Sequence, residues 1–127
     1  MILLDTSVVV DAFAEGGNVF RRLRRAIAGG ERLASCTLVI YEWQRGPRRP
    51  GEIAAQEVVI PAAEAWPFGA AEAVLAAELY RRVRRARQRE VDLGIAACAL
   101  VRGAQLWTLN PDDFRDIPGL TLYQPPA

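Results

Sequence analysis

Three acids in this chain stand where acids are costly. Asp5 closes the apolar run Ile2-Leu3-Leu4 and is followed by two hydroxyls, Thr6 and Ser7. Glu42 lies inside Leu38-Val39-Ile40-Tyr41-Glu42-Trp43, and Asp92 opens Val91-Asp92-Leu93-Gly94-Ile95-Ala96-Ala97. A carboxylate at the edge of a dry core is unfavourable unless a partner or a cation binds it. A further group, Asn110, Asp112 and Asp113, follows the apolar stretch 106–109. Singly, each has an ordinary account. Asp5 can cap a helix, Glu42 can pair with Arg45 three residues on, Asp92 suits a helix dipole, and Asn-Pro-Asp-Asp is common turn chemistry. As a set, acids at a strand end, inside an apolar helix and at the start of another can converge only at one end of a sheet, where they can hold a hard divalent cation.

Composition narrows that chemistry. There is no histidine, and all sixteen basic residues are arginine. Imidazole bases and ligands are therefore excluded, as are lysine-dependent phosphate loops, Schiff bases and a receiver-like phosphoacceptor site. Carboxylates without imidazole favour magnesium or manganese over zinc. Cys36 and Cys98 sit in apolar stretches and read as small buried hydrophobes of a reduced compartment, not as a disulfide or metal ligands. No apolar run approaches the ~20 residues of a membrane span, and no basic-then-apolar secretory leader opens the sequence. The expected location is the cytoplasm. With 127 residues and a net charge of +1, the expectation is one domain, residues 1–127, drawn to nucleic acid only by local patches.

The elements that must position these acids alternate. A strand is expected over 2–4, then a helix carrying Val8, Val9, Ala12 and Phe13 that ends at Gly16-Gly17. Asn18 is expected to cap a second helix over 19–28, stopped by Gly29-Gly30. A short strand over 33–36 precedes a helix to about residue 45, capped by Ser35 or Thr37, although 38–41 also suits a strand. After a Pro/Gly-rich break at 47–51 come a helical piece near 53–56 and a strand over 58–60. A long helix over 69–87, with Val74, Leu75, Leu79 and Val83 as its buried stripe, leads to a helix over 91–102. A strand over 105–109, a turn over 111–115 and a last strand over 120–123 finish the chain. Strand–helix alternation predicts an α/β fold: a central, mostly parallel sheet between layers of helices.

The opening Leu4-Asp5-Thr6-Ser7, Glu42 after Ser35-x-Thr37, Asp92 with Ile95-Ala96-Ala97, the Thr108-x-Asn110-x-x-Asp113-Phe114 block and the ending Ile117-Pro118-Gly119-Leu120 follow one another in a specific order and spacing. Over essentially the whole chain they resemble PIN-domain nucleases, most closely the VapC toxins of bacterial toxin–antitoxin pairs. The resemblance implies a three-layer α/β domain whose acidic cluster binds Mg2+ or Mn2+ and cuts single-stranded RNA. It implies Asp5, Glu42, Asp92 and Asp113 as catalytic metal-binding acids, with Thr6, Thr108 and Asn110 in support. An antitoxin partner and a homodimer are implied as well. Two stretches depart from the family pattern: 45–63 is shorter than the usual pair of helices, and 87–91 lacks the usual glycine–proline turn. Phosphodiester cleavage needs a nucleophile, charge neutralisation and help for the leaving oxygen, which ions held by carboxylates supply without imidazole.

Arg21, Arg22, Arg24 and Arg25, and the run Arg81, Arg82, Arg84, Arg85, Arg87 and Arg89, read either as solvated helix faces or as an RNA track. Arg45, Arg48 and Arg49, near Glu42, are the better RNA-contact candidates. Trp43 and Trp66 could stack on bases, whereas Trp107 suits the core. A housekeeping RNA-processing nuclease, and a non-catalytic RNA- or protein-binding domain, remain alternatives at this point.

Overall fold

In a computed structural model, described over residues 1–126, three parallel strands form the centre. They are β1 (Ile2–Leu4), β2 (Leu33–Ala34) and β3 (Gln105–Trp107), in the order β2-β1-β3. Leu3 stands opposite Ala34 on one side and Leu106 on the other. The bridges Cys36–Trp66 and Leu106–Leu122, both parallel, extend the sheet at its flanks. Every residue of β1 is fully buried, as expected for a strand with helices on both faces. Because the strands are parallel, the carboxyl ends of β1 and β3 share one edge. The Asp5 N–H donates to the Trp107 carbonyl there at 2.9 Å.

Six helices surround the sheet: α1 (Thr6–Phe13), α2 (Val19–Ala28), α3 (Thr37–Gln44), α4 (Pro50–Val59), α5 (Ala70–Arg82) and α6 (Glu90–Arg102). None is long and apolar enough to cross a membrane among the described residues. The fold is α/β with helical layers about a parallel sheet, as the alternation of elements predicts. Helices α2 and α6 lie within a residue of their expected bounds, whereas α1 ends at Phe13, three residues before Gly16. Gly103, left-handed at φ 63°, ends α6 as a glycine cap.

Several local expectations are corrected. Residues 58–60 are not a strand: α4 runs through Val58 and Val59. Gln56, fully buried, ties down this end of α4 by donating to the Ile60 carbonyl at 2.8 Å and accepting from Gln44 at 2.9 Å. The segment 45–63 thus holds one ten-residue helix, not a short piece near 53–56. Residues 120–123 make a bridge rather than a strand, β2 stops at Ala34, and β3 stops at Trp107. Helix α5 ends at Arg82, before a left-handed Arg85 at φ 53° and a 3-10 turn over Ala86–Gln88. Its buried stripe includes Leu79 but not Val74, which is 71% exposed.

Two caps also differ. Neither Ser35 nor Thr37 caps α3; Cys36 is at the cap position without a side-chain bond, and the Thr37 hydroxyl accepts the Phe68 N–H at 3.1 Å. Asn18 occupies the cap position of α2, but Asp11 supplies the oxygen, accepting the N–H groups of Asn18 and Val19 at 2.8 Å each.

The core sets the spacing of the two helices that carry Glu42 and Asp92. A methyl group on Gly94 of α6 would fall 2.5 Å from Leu38 Cδ1 of α3 and 3.2 Å from Phe68. Glycine there, with the fully buried Ala96 and Ala97, lets α6 settle closely against α3. Trp43 and Trp107 are also buried in this core, Trp43 against Phe13 with ring centres 5.8 Å apart. They are packing residues, not base-stacking surfaces. Cys36 and Cys98 are buried free thiols. A mutual hydrogen bond draws Cys36 below the ordinary thiol range and pushes Cys98 above it.

Candidate active site

At the carboxyl edge of the sheet a cleft of about 580 Å³ is lined by Asp5, Thr6, Ser7, Val10, Asp11, Ala14, Glu42, Asp92, Leu109 and Asn110. Four elements deliver the polar groups. Strand β1 ends at Asp5, α1 begins with Thr6, α3 carries Glu42 in its last turns, and α6 carries Asp92 in its first.

Asp5 is only 4% exposed. It stands at the cap position of α1, yet its carboxylate makes no capping bond. Its Oδ2 instead accepts the hydroxyls of Ser7 and Thr108, both at 2.8 Å. Helix capping therefore does not account for this acid. Both donors meet one oxygen, which leaves Oδ1 unengaged among the described residues. Thr108 also accepts the Asn110 N–H at 3.0 Å, and Ser7 accepts the Leu109 N–H at 3.0 Å. The loop after β3 is thereby laced to the residue after β1. Ser7 was not among the site residues expected from the sequence. Its signal was there, in the second hydroxyl of the Asp5-Thr6-Ser7 triplet.

Glu42 is held from the other side. Its Oε1 accepts the Thr6 hydroxyl at 2.6 Å, and its Oε2 lies 3.9 Å from the guanidinium of Arg45. Asp92 has a raised pKa, about 6. Burial is the largest cause, followed by the charges of Asp5, Asp113 and Glu42, with Arg89 opposing. Four acids thus share one electrostatic field. A carboxylate perturbed in this way inside a cleft marks a candidate functional site.

Asp113 differs from the other three. It lies on a 3-10 turn (Pro111–Asp113), is exposed, and does not line the cleft, although its charge reaches Asp92. The arginine candidates also separate. Arg45 is 57% exposed beside Glu42 and lies over the Tyr41 ring at 5.2 Å, with no side-chain hydrogen bond among the described residues that would hold it in place. Arg48 is occupied internally: its Nε donates to the Trp43 carbonyl at 2.7 Å, and its guanidinium lies over the Trp43 ring at 5.2 Å. Arg49 pairs with Glu15 at 3.2 Å on the surface, where such a pair is readily exchanged for another anion. Asp11 also lines the cleft, and its Oδ1 accepts both capping N–H groups of α2.

The donor set is entirely oxygen, which fits a hard divalent ion. Among the described residues no three acids stand close enough to grip one ion between them. That geometry does not fit a closed protein cage. It does fit magnesium's usual mode, in which one or two carboxylates and substrate phosphate oxygens join several retained waters.

The PIN domain family model matches residues 2–120. No curated protein matches the chain. Among solved structures, VapBC2 from Rickettsia felis, bound to a DNA fragment from its promoter, is similar with a TM-score of 0.78 at 24% identity. The match covers 97% of this chain and 98% of that one. DNA-bound VapBC from Salmonella typhimurium gives 0.73 at 20% identity over 96% of both chains. FitAcB from Neisseria gonorrhoeae gives 0.71 at 18% identity over 98% of both. At these identities the likeness is one of fold.

Proposed function

The chain belongs to the PIN-domain family, and on that premise we propose that it is a magnesium- or manganese-dependent endoribonuclease of the VapC type, the toxin of a toxin–antitoxin pair. PIN domains are nucleases. The observation that carries the reading is the convergence of Asp5, Glu42 and Asp92 on one cleft, with Asp92 pushed up to about 6 partly by the others' charges. Asp5, Glu42 and Asp92 would hold the ion, directly or through its retained waters, and it would supply charge neutralisation for the scissile phosphate and activation of water.

The chain's own groups do the rest. Ser7 and Thr108 fix Asp5 through Oδ2 and leave its Oδ1 unengaged among the described residues, and Thr6 fixes Glu42. Asp92 supplies a carboxylate with a strong electrostatic reason to accept a cation. Asp113 adds negative charge from the rim, and Asn110 lines the wall where a ribose or phosphate would pass. Arg45 is the arginine placed to meet the RNA backbone. Residues 1–127 are read as one nuclease domain acting in the cytoplasm, with an RNA substrate, a cognate antitoxin and a homodimer as partners. The antitoxin assignment is supported by the names of the structural neighbours, VapBC and FitAcB.

Expression of the chain alone in a bacterial host tests the toxin reading. Wild type is expected to arrest growth and cut cellular RNA, and Glu42→Gln to do neither. Unimpaired growth, alongside an enzyme that cuts RNA once purified, would discard the toxin assignment and leave a housekeeping nuclease.

A further inference from the structure

Of the six arginines between positions 81 and 89, five are exposed and one is not. The exception is Arg89, whose side chain is 15% exposed. Its Nη1 donates to the Arg84 carbonyl at 2.8 Å and to Asp116 Oδ2 at 2.9 Å. Its Nη2 donates to the Asp113 carbonyl at 2.8 Å and to Asp116 Oδ1 at 2.6 Å. All four terminal N–H groups are therefore used, and the buried Nε has no partner among the described residues. A guanidinium committed in this way is not a substrate contact. Its contacts are instead the Arg84 carbonyl and the turn that carries Asp113 and Asp116.

The backbone of Arg89 starts α6: its carbonyl accepts the Leu93 N–H at 2.8 Å, and Asp92 sits in the turn so formed. Its side chain holds the carbonyl of Asp113 and, through Asp116, the turn that follows. One residue thus joins the start of α6 to the loop after β3. This is also where the chain path is least regular, with α5 ended early and Arg85 left-handed.

We propose that Arg89 is a positioning residue, whose fork onto Asp116 and the Asp113 carbonyl locks the 111–116 turn against the start of α6 and so holds Asp92 in place to meet a divalent ion. The proposal rests on the metal-dependent reading of the cleft. A planar fork is required, because an ammonium cannot hold two carboxylate oxygens and two carbonyls in fixed directions.

The test uses the full chain with Arg89→Lys, which keeps the charge and loses the fork, and Asp116→Asn, which alters a side chain that does not line the cleft. Amide hydrogen exchange at 111–117 is read without metal, manganese affinity by calorimetry, and kcat and KM on a single-stranded RNA. Both variants are expected to exchange faster at 111–117, to bind manganese about tenfold more weakly, and to lose about tenfold in kcat with KM little changed, as for residues that orient metal ligands. Unchanged exchange would mean that no clamp exists. Faster exchange with wild-type manganese affinity and kcat would reduce the pair to a structural tie, and either result overturns the proposal. A wild type that neither binds manganese nor cuts RNA would instead overturn the nuclease reading itself, and with it the ion-facing part of this one.

Discussion

Asp5→Asn is expected to lower RNA cleavage by about 10³-fold, equivalent to about 4 kcal/mol of transition-state stabilisation, while leaving the fold intact. The substitution is nearly isosteric. An asparagine can turn its carbonyl oxygen to the Ser7 and Thr108 hydroxyls that now meet Oδ2, so neither donor is orphaned. What is lost is the negative charge of a residue that lines the cleft. Circular dichroism should match wild type, and single-turnover cleavage at saturating manganese should show the loss in the rate constant. Equal rates for the two proteins would remove Asp5 from the reacting centre.

Asp92→Asn should separate stability from activity. The Asp92 carboxyl titrates near 6, above its ordinary 3.8, so folding holds its proton more tightly than the unfolded chain does. Its contribution to stability is fully present below pH ~4 and is lost as pH rises through 6. At neutral pH the metal-free protein therefore carries a penalty. A shift of this size corresponds to about 3 kcal/mol if unscreened, and to about 1–2 kcal/mol for a half-buried group partly screened by water. Asparagine mimics the protonated form at every pH. The variant should melt several degrees above wild type at pH 7.5 without metal, match it near pH 4, and cut no RNA. Asp116, held below the ordinary range by its Arg89 hydrogen bonds, is the same in both proteins and does not disturb that comparison. Manganese should raise the wild-type melting temperature, since it binds only the folded form, and should leave the variant's unchanged. Equal melting temperatures at pH 7.5 would show that Asp92 bears no such strain.

Much of this site was legible because acids are rarely placed in apolar sequence without cause. Asp5, Glu42 and Asp92 stood out against their neighbours, and the parallel sheet implied by alternating elements brought them to one edge. What could not be read was whether each acid faced inward. Asp113 shares a sequence block with Asn110 but is exposed on a 3-10 turn and does not line the cleft. Arg48 looked equivalent to Arg45 and Arg49, yet the aromatic face and carbonyl of Trp43 claim it. In the fold, Val58-Val59-Ile60 has the composition of a strand, and only the buried hydrogen bonds of Gln56 explain why it ends a helix. The early end of α5 had no glycine or proline to announce it. Arg89, which draws the Arg84 carbonyl inward, was one arginine among six in the sequence.

The proposed chemistry is cleavage of RNA by these acids through a bound divalent ion. Chelation tests it most directly. Purified wild-type chain, given a labelled single-stranded RNA and a matched DNA, should cleave the RNA internally with magnesium or manganese. Cleavage should stop when EDTA is added and resume when manganese is restored in excess. Cleavage that continues undiminished in EDTA, or RNA that stays whole with every divalent ion supplied, would contradict it.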